Sequence, residues 1–420
     1  MSARERPDAL DHGVLRFLTA GSVDDGKSTL IGRLLYDTKA ILADQLAALE
    51  HTARRRGQAL DLSLLTDGLV AEREQGITID VAYRYFATPL RKFIIADAPG
   101  HEQYTRNMVT AASTAHLAIV LVDARHGVVT QTRRHATLAH LLGIPHLVVA
   151  VNKMDRVGYG SDTFAAIVDD FLAFARRSGI TGVRFVPISA LEGDMVVSRG
   201  ERLGWYDGPT LLQILETAEL PQVPASAPLR LPVQYVARPV AGQPRGYMGR
   251  IESGSIAVGD RVRLLPSGAT SRVLELRTAE GAQHCAGLHA GVTLILADER
   301  DVTRGDLIVR EDGAPEPLRH LDATICWLGD TPLDTRRKYV LRHTTREVRA
   351  RVDRIEHLWN VSTQEQEPAP PALAMNDIAR IALTLGQPVF ADRYADNRAT
   401  GSFILIDEAT NNTVAAGMIR

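Results

Sequence analysis

The residues best able to do chemistry lie close to the amino terminus. Gly21-Ser22-Val23-Asp24-Asp25-Gly26-Lys27-Ser28, followed by Thr29, fits the G-x-x-x-x-G-K-[ST] spacing, which wraps backbone N–H groups around nucleotide phosphates. In that chemistry Lys27 reaches the β- and γ-phosphates and the Ser28 hydroxyl ligates Mg²⁺. The context agrees on both sides. Residues 15–20 are a short apolar run that predicts a buried strand, and Leu30, Ile31, Leu34 and Leu35 recur at helical spacing. A helix that starts at such a loop points its unpaired N–H groups and positive dipole end at the phosphates.

Three further clusters extend the site. Asp97-Ala98-Pro99-Gly100-His101 follows an apolar run. There Asp97 can hold Mg²⁺, and the Gly100 N–H can approach a γ-phosphate because no side chain intervenes. His101 has two readings, a polar surface residue or the group that positions an attacking water. Thr78, at the end of a long irregular stretch (37–79), offers a hydroxyl to Mg²⁺ and the γ-phosphate, and a stretch of that length is expected to be a functional element. The last cluster is Asn152-Lys153-Met154-Asp155 with Ser189-Ala190-Leu191. The Asp155 carboxylate accepts only, which matches the N1–H and exocyclic N2–H₂ of guanine. Adenine lacks both donors, so this pair predicts GTP rather than ATP, with discrimination on the order of 10⁴-fold. Lys27, His101 and Thr78 are the candidate catalytic residues, and Ser28, Thr78 and Asp97 the candidate Mg²⁺ ligands.

These residues need a scaffold that gathers strand ends. Over residues 14–220, apolar runs at 15–20, 92–96, 117–122, 146–151 and 184–188 alternate with helical patterns, which predicts a mostly parallel sheet covered by helices. Ligands in such sheets sit at the carboxyl ends of the strands, where each cluster falls. A proline-rich linker (221–228) precedes a change of character. Residues 229–313 carry short alternating segments broken by Gly-Asp and Ser-Gly turns, and after Gly313-Ala314-Pro315-Glu316-Pro317 a second β-rich block runs over 318–420. Both predict β-barrels. Val348, Ala350 and Val352 alternate with Arg349, Arg351 and Asp353, as on a half-exposed strand. Arg54-Arg55-Arg56 reads as a solvated helix face, and the cluster from Arg336 to Arg351 fits a solvated barrel face or an acidic partner at least as well as RNA, so no nucleic-acid role is assigned.

Composition sets outer bounds. The chain has 420 residues, 45% hydrophobic and 23% charged, enough for two to four domains with sizeable cores. A formal charge of −2 gives no electrostatic argument for nucleic acid. Two cysteines make no disulfide or metal pattern and fit a reducing compartment. No run is long enough to span a bilayer, and the polar first residues do not form a signal peptide. A cytoplasmic protein without membrane contact is expected.

The order of these motifs resembles the translation-factor class of GTPases, that of elongation factor Tu: an α/β P-loop GTPase domain followed by two all-β barrels. In that class Gly76-Ile77-Thr78 belongs to switch I, Asp97–His101 opens switch II, and Val23 and Ile77 form an apolar gate beside His101. One departure is Asp25, where elongation factors usually carry His. Residues 21–35, Tyr83-Arg84-Tyr85-Phe86, residues 100–108 and the tail 397–407 resemble instead the GTPase subunit of bacterial sulfate adenylyltransferase, over about 15–420. That resemblance implies GTP hydrolysis, with Mg²⁺, driving AMP transfer from ATP to sulfate on a separate small catalytic subunit in a hetero-oligomer. It also implies that the fused adenylylsulfate kinase domain of some relatives is missing. The alternative is an elongation-factor-like carrier of aminoacyl-tRNA.

Overall fold

Apolar runs that are buried on both faces make the central strands of the first unit. The computed structural model describes residues 13–41, 43–44, 46–47, 51, 61–65, 80–101, 105–220, 226–237, 244–360 and 363–420. The chain divides into two units, Met1–Pro221 with Val361–Gln364, and Gln222–Asn360 with Glu365–Arg420.

In the first unit the described elements are β1 (Val14–Ala20), α1 (Lys27–Asp37), β2 (Ala82–Ala87), β3 (Lys92–Asp97), α2 (Thr105–Ala112), β4 (Leu117–Asp123), α3 (Thr130–Leu141), β5 (His146–Asn152), α4 (Ser161–Ser178), β6 (Val183–Pro187) and α5 (Leu211–Thr217). The sheet order is β2-β3-β1-β4-β5-β6. All neighbours are parallel except β2 and β3. All seven residues of β4 are buried, as are six of the seven in β5, so these strands read as continuous apolar runs. β2 is the one strand that the apolar-run reading passes over. It lies at the sheet edge and alternates exposed with partly buried residues, Tyr83 and Tyr85 facing out, so it has no apolar run to detect. Its Phe86 stacks on Phe93 at 4.5 Å between ring centroids, and Phe17 meets both edge-on at 6.4 Å.

The chain passes from β1 to β3 on one side and then to β4 on the other, so the topological switch lies at the β1 end that feeds the Gly21–Ser28 loop. Parallel register places Thr19 beside Asp97 and Asp123 beside Asn152, which aligns the polar strand ends on one edge. Within the long stretch 37–79, a 3-10 turn at Leu62–Leu65 lies against α1, and this contact explains a glycine in mid-helix. A Cβ on Gly32 would stand 2.1 Å from the Leu62 carbonyl oxygen. At the other end of the unit, buried Arg91 donates to the carbonyls of Leu215, Glu216 and Ala218 and so closes the carboxyl end of α5.

The second unit holds two closed antiparallel barrels. The first runs in ring order Arg261–Leu265, Leu307–Arg310, Leu231–Ala237, Gly246–Arg250, Gly291–Leu296, Thr270–Thr278 and back. The second runs Lys338–His343, Ser402–Asp407, Thr413–Ile419, Pro317–Trp327, Ile378–Phe390, Arg346–Trp359 and back. Val348, Ala350 and Val352 are buried in the second core with Trp327 and Tyr339. Gly259 and Gly305 have positive φ, and each following aspartate accepts a backbone N–H three residues earlier, Asp260 from Ala257 and Asp306 from Thr303. The Gly-Asp pairs are therefore turn chemistry. Between the barrels, the buried Arg230 guanidinium forks onto Asp392, which also accepts from Thr400. Burial would raise the Asp392 carboxyl, but Arg230 and Thr400 hold it below its usual range. Among the described residues no helix is long and apolar enough to cross a membrane.

Candidate functional site

The loop between β1 and α1 folds as an anion cradle. Asp24 (φ 64°) and Gly26 (φ 92°) take left-handed backbone conformations, which turns the chain tightly into α1. Gly26 is also a close approach, since a Cβ there would lie 2.5 Å from Asn152 Nδ2. No side chain caps the amino end of α1 and no acidic residue stands in its first turn, so its N–H groups and dipole are left for a ligand anion.

Lys27 is buried, and its ammonium donates to the carbonyls of Gly21 at 2.9 Å and Ser22 at 2.8 Å. Burial pushes its pKa down, opposed by the charges of Asp97, Asp25 and Asp24. A desolvated cation beside an uncapped helix end is the chemistry that a polyphosphate fits. Asp25 braces the loop from within, its carboxylate accepting from the Ser22 N–H at 2.5 Å. Burial raises the Asp25 pKa, partly offset by Lys27.

Gly100 comes against this loop. A Cβ there would meet Lys27 Nζ at 2.6 Å and the Gly21 carbonyl oxygen at 2.8 Å, so only glycine allows β3's end to lie this close. Asp97 is buried and accepts from the Thr19 hydroxyl at 3.2 Å. With Ser28 at the start of α1 it brings oxygen donors to the same edge, the hard-ligand type that suits Mg²⁺. His101 follows Gly100 and is partly buried, whereas Val23 is exposed. Thr78, with Gly76 and Ile77, lies outside the described residues, as do Arg54, Arg55 and Arg56.

The cluster expected to read the base assembles around Asn152. Its side-chain amide donates to the Asp25 carbonyl at 2.8 Å, and its oxygen accepts from the Ala190 N–H at 2.9 Å, so one side chain ties the phosphate loop to Ser189–Leu191. Lys153, itself left-handed (φ 63°), reaches back to the Asp24 carbonyl and to Asp123 Oδ2. Asp155 accepts from the Ser189 hydroxyl at 2.7 Å on Oδ1, and Arg156 stands 3.4 Å from Oδ2. A carboxylate offers about four acceptor sites, so these contacts leave capacity for two guanine donors. Leu191 is exposed.

Several residues of the site were not singled out from sequence. Arg33, on α1, donates to the carbonyls of Ala190 and Leu191. Asp123 ends β4 and anchors Lys153; burial would raise its carboxyl, but hydrogen bonds from Arg125 and Lys153 hold it well below the usual range. Its position at a strand end, like that of Asp97, was the available signal. Gln131 on α3 donates to the Gly100 carbonyl and lies against His135, at the helical i, i+4 spacing. Five arginines of the second barrel are matched by acids: Arg336 with Asp334, Arg337 with Asp407, Arg342 with Glu347, Arg349 with Glu408 and Arg351 with Asp353.

The chain is similar to known proteins over both of its units. Residues 12–221 match the family model for the elongation factor Tu GTP binding domain, and residues 320–420 match the GTP-eEF1A C-terminal domain-like model. Sulfate adenylyltransferase subunit 1 of Laribacter hongkongensis (strain HLHK9) is 53% identical over 97% of this chain and 85% of its own. The bifunctional enzyme CysN/CysC of Mycobacterium tuberculosis (strain CDC 1551 / Oshkosh) is 52% identical over 97% of this chain and 67% of its own. A crystal structure of sup35 complexed with GDP aligns with 100% of this chain and 96% of its own, at 24% identity and a TM-score of 0.44.

Proposed function

The chain belongs to the sulfate adenylyltransferase subunit 1 family, with an elongation-factor-Tu-type GTP-binding domain, and from that premise we propose that it hydrolyses GTP to drive sulfate activation. In this reading GTP and water give GDP and phosphate, and the released free energy drives ATP and sulfate to adenosine 5′-phosphosulfate and diphosphate. The adenylyl transfer takes place on a separate small catalytic subunit, bound to this chain in a hetero-oligomer in the cytoplasm. The observation that carries the GTP half is the buried Lys27 beside an uncapped helix end, braced by Asn152 to the Ser189–Leu191 loop.

The roles then divide as follows. Residues Gly21 to Thr29 surround the phosphates, with Lys27 supplying positive charge. Asp155 reads guanine beside Ser189, Ala190 and Leu191, while Asn152 and Lys153 hold that region against the phosphate loop. Ser28, Thr78 and Asp97 would hold Mg²⁺, which when bound neutralises charge on the β- and γ-phosphate oxygens. Gly100 presents its N–H to the γ-phosphate, and His101 orients the attacking water. Delivery of aminoacyl-tRNA gains no support from Arg336, Arg349 and Arg351 of the second barrel, each of which pairs with an acid.

The test is co-expression with the small subunit, followed by an assay of adenylylsulfate formation with GTP, GDP and a nonhydrolysable GTP analogue. GTP should raise the yield over many turnovers and the analogue should not. Equal stimulation by the analogue would leave GTP as an allosteric ligand only. Co-purification of tRNA in place of a protein partner would favour the carrier reading.

A further inference from the structure

α3 carries two side chains that the proposed chemistry leaves unused, and one of them reaches the Gly100 carbonyl. Gln131 Nε2 lies 3.2 Å from the Gly100 carbonyl oxygen and 2.9 Å from His135 Nε2. Gln131 is partly buried and His135 almost wholly so. We propose, resting on the reading of this domain as a GTPase, that Gln131 and His135 form one positioning relay: His135 orients the Gln131 carboxamide, and the carboxamide holds the Gly100 carbonyl whose peptide leads into His101.

Hydrogen-bond polarity fixes the direction of the relay. A carbonyl accepts only, so Gln131 must turn its NH₂ group toward Gly100. The second hydrogen of that group then points at His135 Nε2, which must accept and is therefore unprotonated, with the ring proton on Nδ1. Burial, reinforced by the charges of Lys27 and Arg134, pushes the His135 pKa down to about 3, so the ring is neutral at working pH. Were Nε2 to carry a proton, it would confront the NH₂ group. The opposite amide orientation would set its oxygen against the Gly100 oxygen. Neutral His135 thus permits one orientation of Gln131, and that orientation grips Gly100.

The remaining nitrogen supports a specific role. Among the described residues His135 Nδ1 is buried and makes no hydrogen bond. A buried N–H without a partner is costly, and an apolar residue would fill this position more cheaply. What the imidazole adds is the Nε2 acceptor. Lys27 and the Gly21 carbonyl occupy the space a Gly100 side chain would need, and Gln131 holds the Gly100 carbonyl. A misplacement of about an ångström away from the reacting atoms can cost on the order of 10²-fold in rate.

The experiment compares full-length wild type with Gln131→Met, His135→Phe, the double variant and His135→Gln, whose side-chain oxygen can again accept. Single-turnover GTP hydrolysis is measured with Mg²⁺, and GDP affinity by fluorescent-nucleotide titration. Gln131→Met and His135→Phe should each slow hydrolysis by at least about tenfold while GDP affinity stays within about threefold. The double variant should be no slower than the slower single one, since one relay can be broken only once. His135→Gln should recover at least about threefold over His135→Phe. Normal turnover in Gln131→Met, additive losses in the double variant, or a GDP affinity that falls with the rate would overturn the relay. If His135→Phe does not fold, Gln131→Met and His135→Gln decide the question. A wild type that binds GTP but never hydrolyses it would overturn the GTPase reading and the relay together.

Discussion

Replacing Gly100 by alanine adds one methyl group at a close approach to the phosphate loop. That methyl would stand 2.6 Å from Lys27 Nζ, 2.8 Å from the Gly21 carbonyl oxygen and 3.2 Å from the Ser22 carbonyl carbon. Two of these distances are shorter than any carbon contact tolerates, and neither partner yields easily. Lys27 is buried and anchored by hydrogen bonds to Gly21 and Ser22, and Gly21 is the backbone of the phosphate loop itself. The end of β3 must therefore move away from the loop. Overpacking of this kind costs about 1–3 kcal/mol, which is roughly a 5- to 150-fold effect on an equilibrium. The cost falls on the state in which Gly100 stays close to the loop, the state proposed for contact with the γ-phosphate. Titration with fluorescent GDP and a nonhydrolysable GTP analogue should show analogue affinity falling by about that factor, with GDP affinity changed much less. Equal loss of both nucleotides would make Gly100 part of the loop's own fold, and no loss of either would show that the close approach does not persist in the bound protein.

Asp155→Asn should weaken GTP and strengthen xanthosine triphosphate, whose C2 oxygen accepts from the new amide; competition binding measures both, and unchanged GTP affinity would remove Asp155 from base recognition. His101→Ala should bind GTP with near-normal affinity and turn over at least about tenfold slower, about 1.4 kcal/mol of barrier, in single-turnover assays; a normal rate would return His101 to a surface role. Stability should fall below pH 6.5. The buried His135 has a folded pKa of about 3 against 6.5 unfolded, so its contribution is complete above pH 6.5 and is lost as the pH drops toward 3. Between pH 7.5 and 5.5 this amounts to about 1.4 kcal/mol, and urea unfolding of the nucleotide-free chain should show His135→Gln with a correspondingly shallower pH dependence.

The parts of the fold that sequence displays are those where one strand or one loop carries its own signal. β4 and β5 are visible because burial on both faces demands unbroken apolar runs, and β1, β3 and β6 by the shorter apolar segments at their buried residues. β2 is not, because an edge strand with Tyr83 and Tyr85 outward has no such run. In the barrels the inward face at Val348, Ala350 and Val352 is visible by alternation, but closure of the rings joins strands by contacts that no local pattern announces. The arginine cluster shows a signal present and unread. Arg351 and Asp353 sit two residues apart on the strand Arg346–Trp359, where period-two geometry puts them on one face, while Arg336 meets Asp334 across a turn. Counting the arginines without their i±2 acids made the surface look more basic than it is.

The same distinction separates what is readable in the nucleotide site from what is not. The Gly21–Ser28 spacing is local, because one tight turn and one helix end make the cradle. The braces are not local. Arg33 meets Ala190 across 157 residues, Asn152 meets Asp25 across 127, and Lys153 meets Asp24 across 129. In each of these contacts the acceptor is a main-chain carbonyl, which every residue type possesses, so the partner leaves no mark on the sequence. Only the donor side is encoded, as a lone Arg, Asn or Lys. The fold supplies the other half by setting the carboxyl ends of β1, β4 and β5 side by side, so that three long-range donors fasten the base-reading loop to the phosphate loop. The phosphate loop and the Ser189–Leu191 loop thereby form one braced unit, although its two halves are written more than a hundred residues apart.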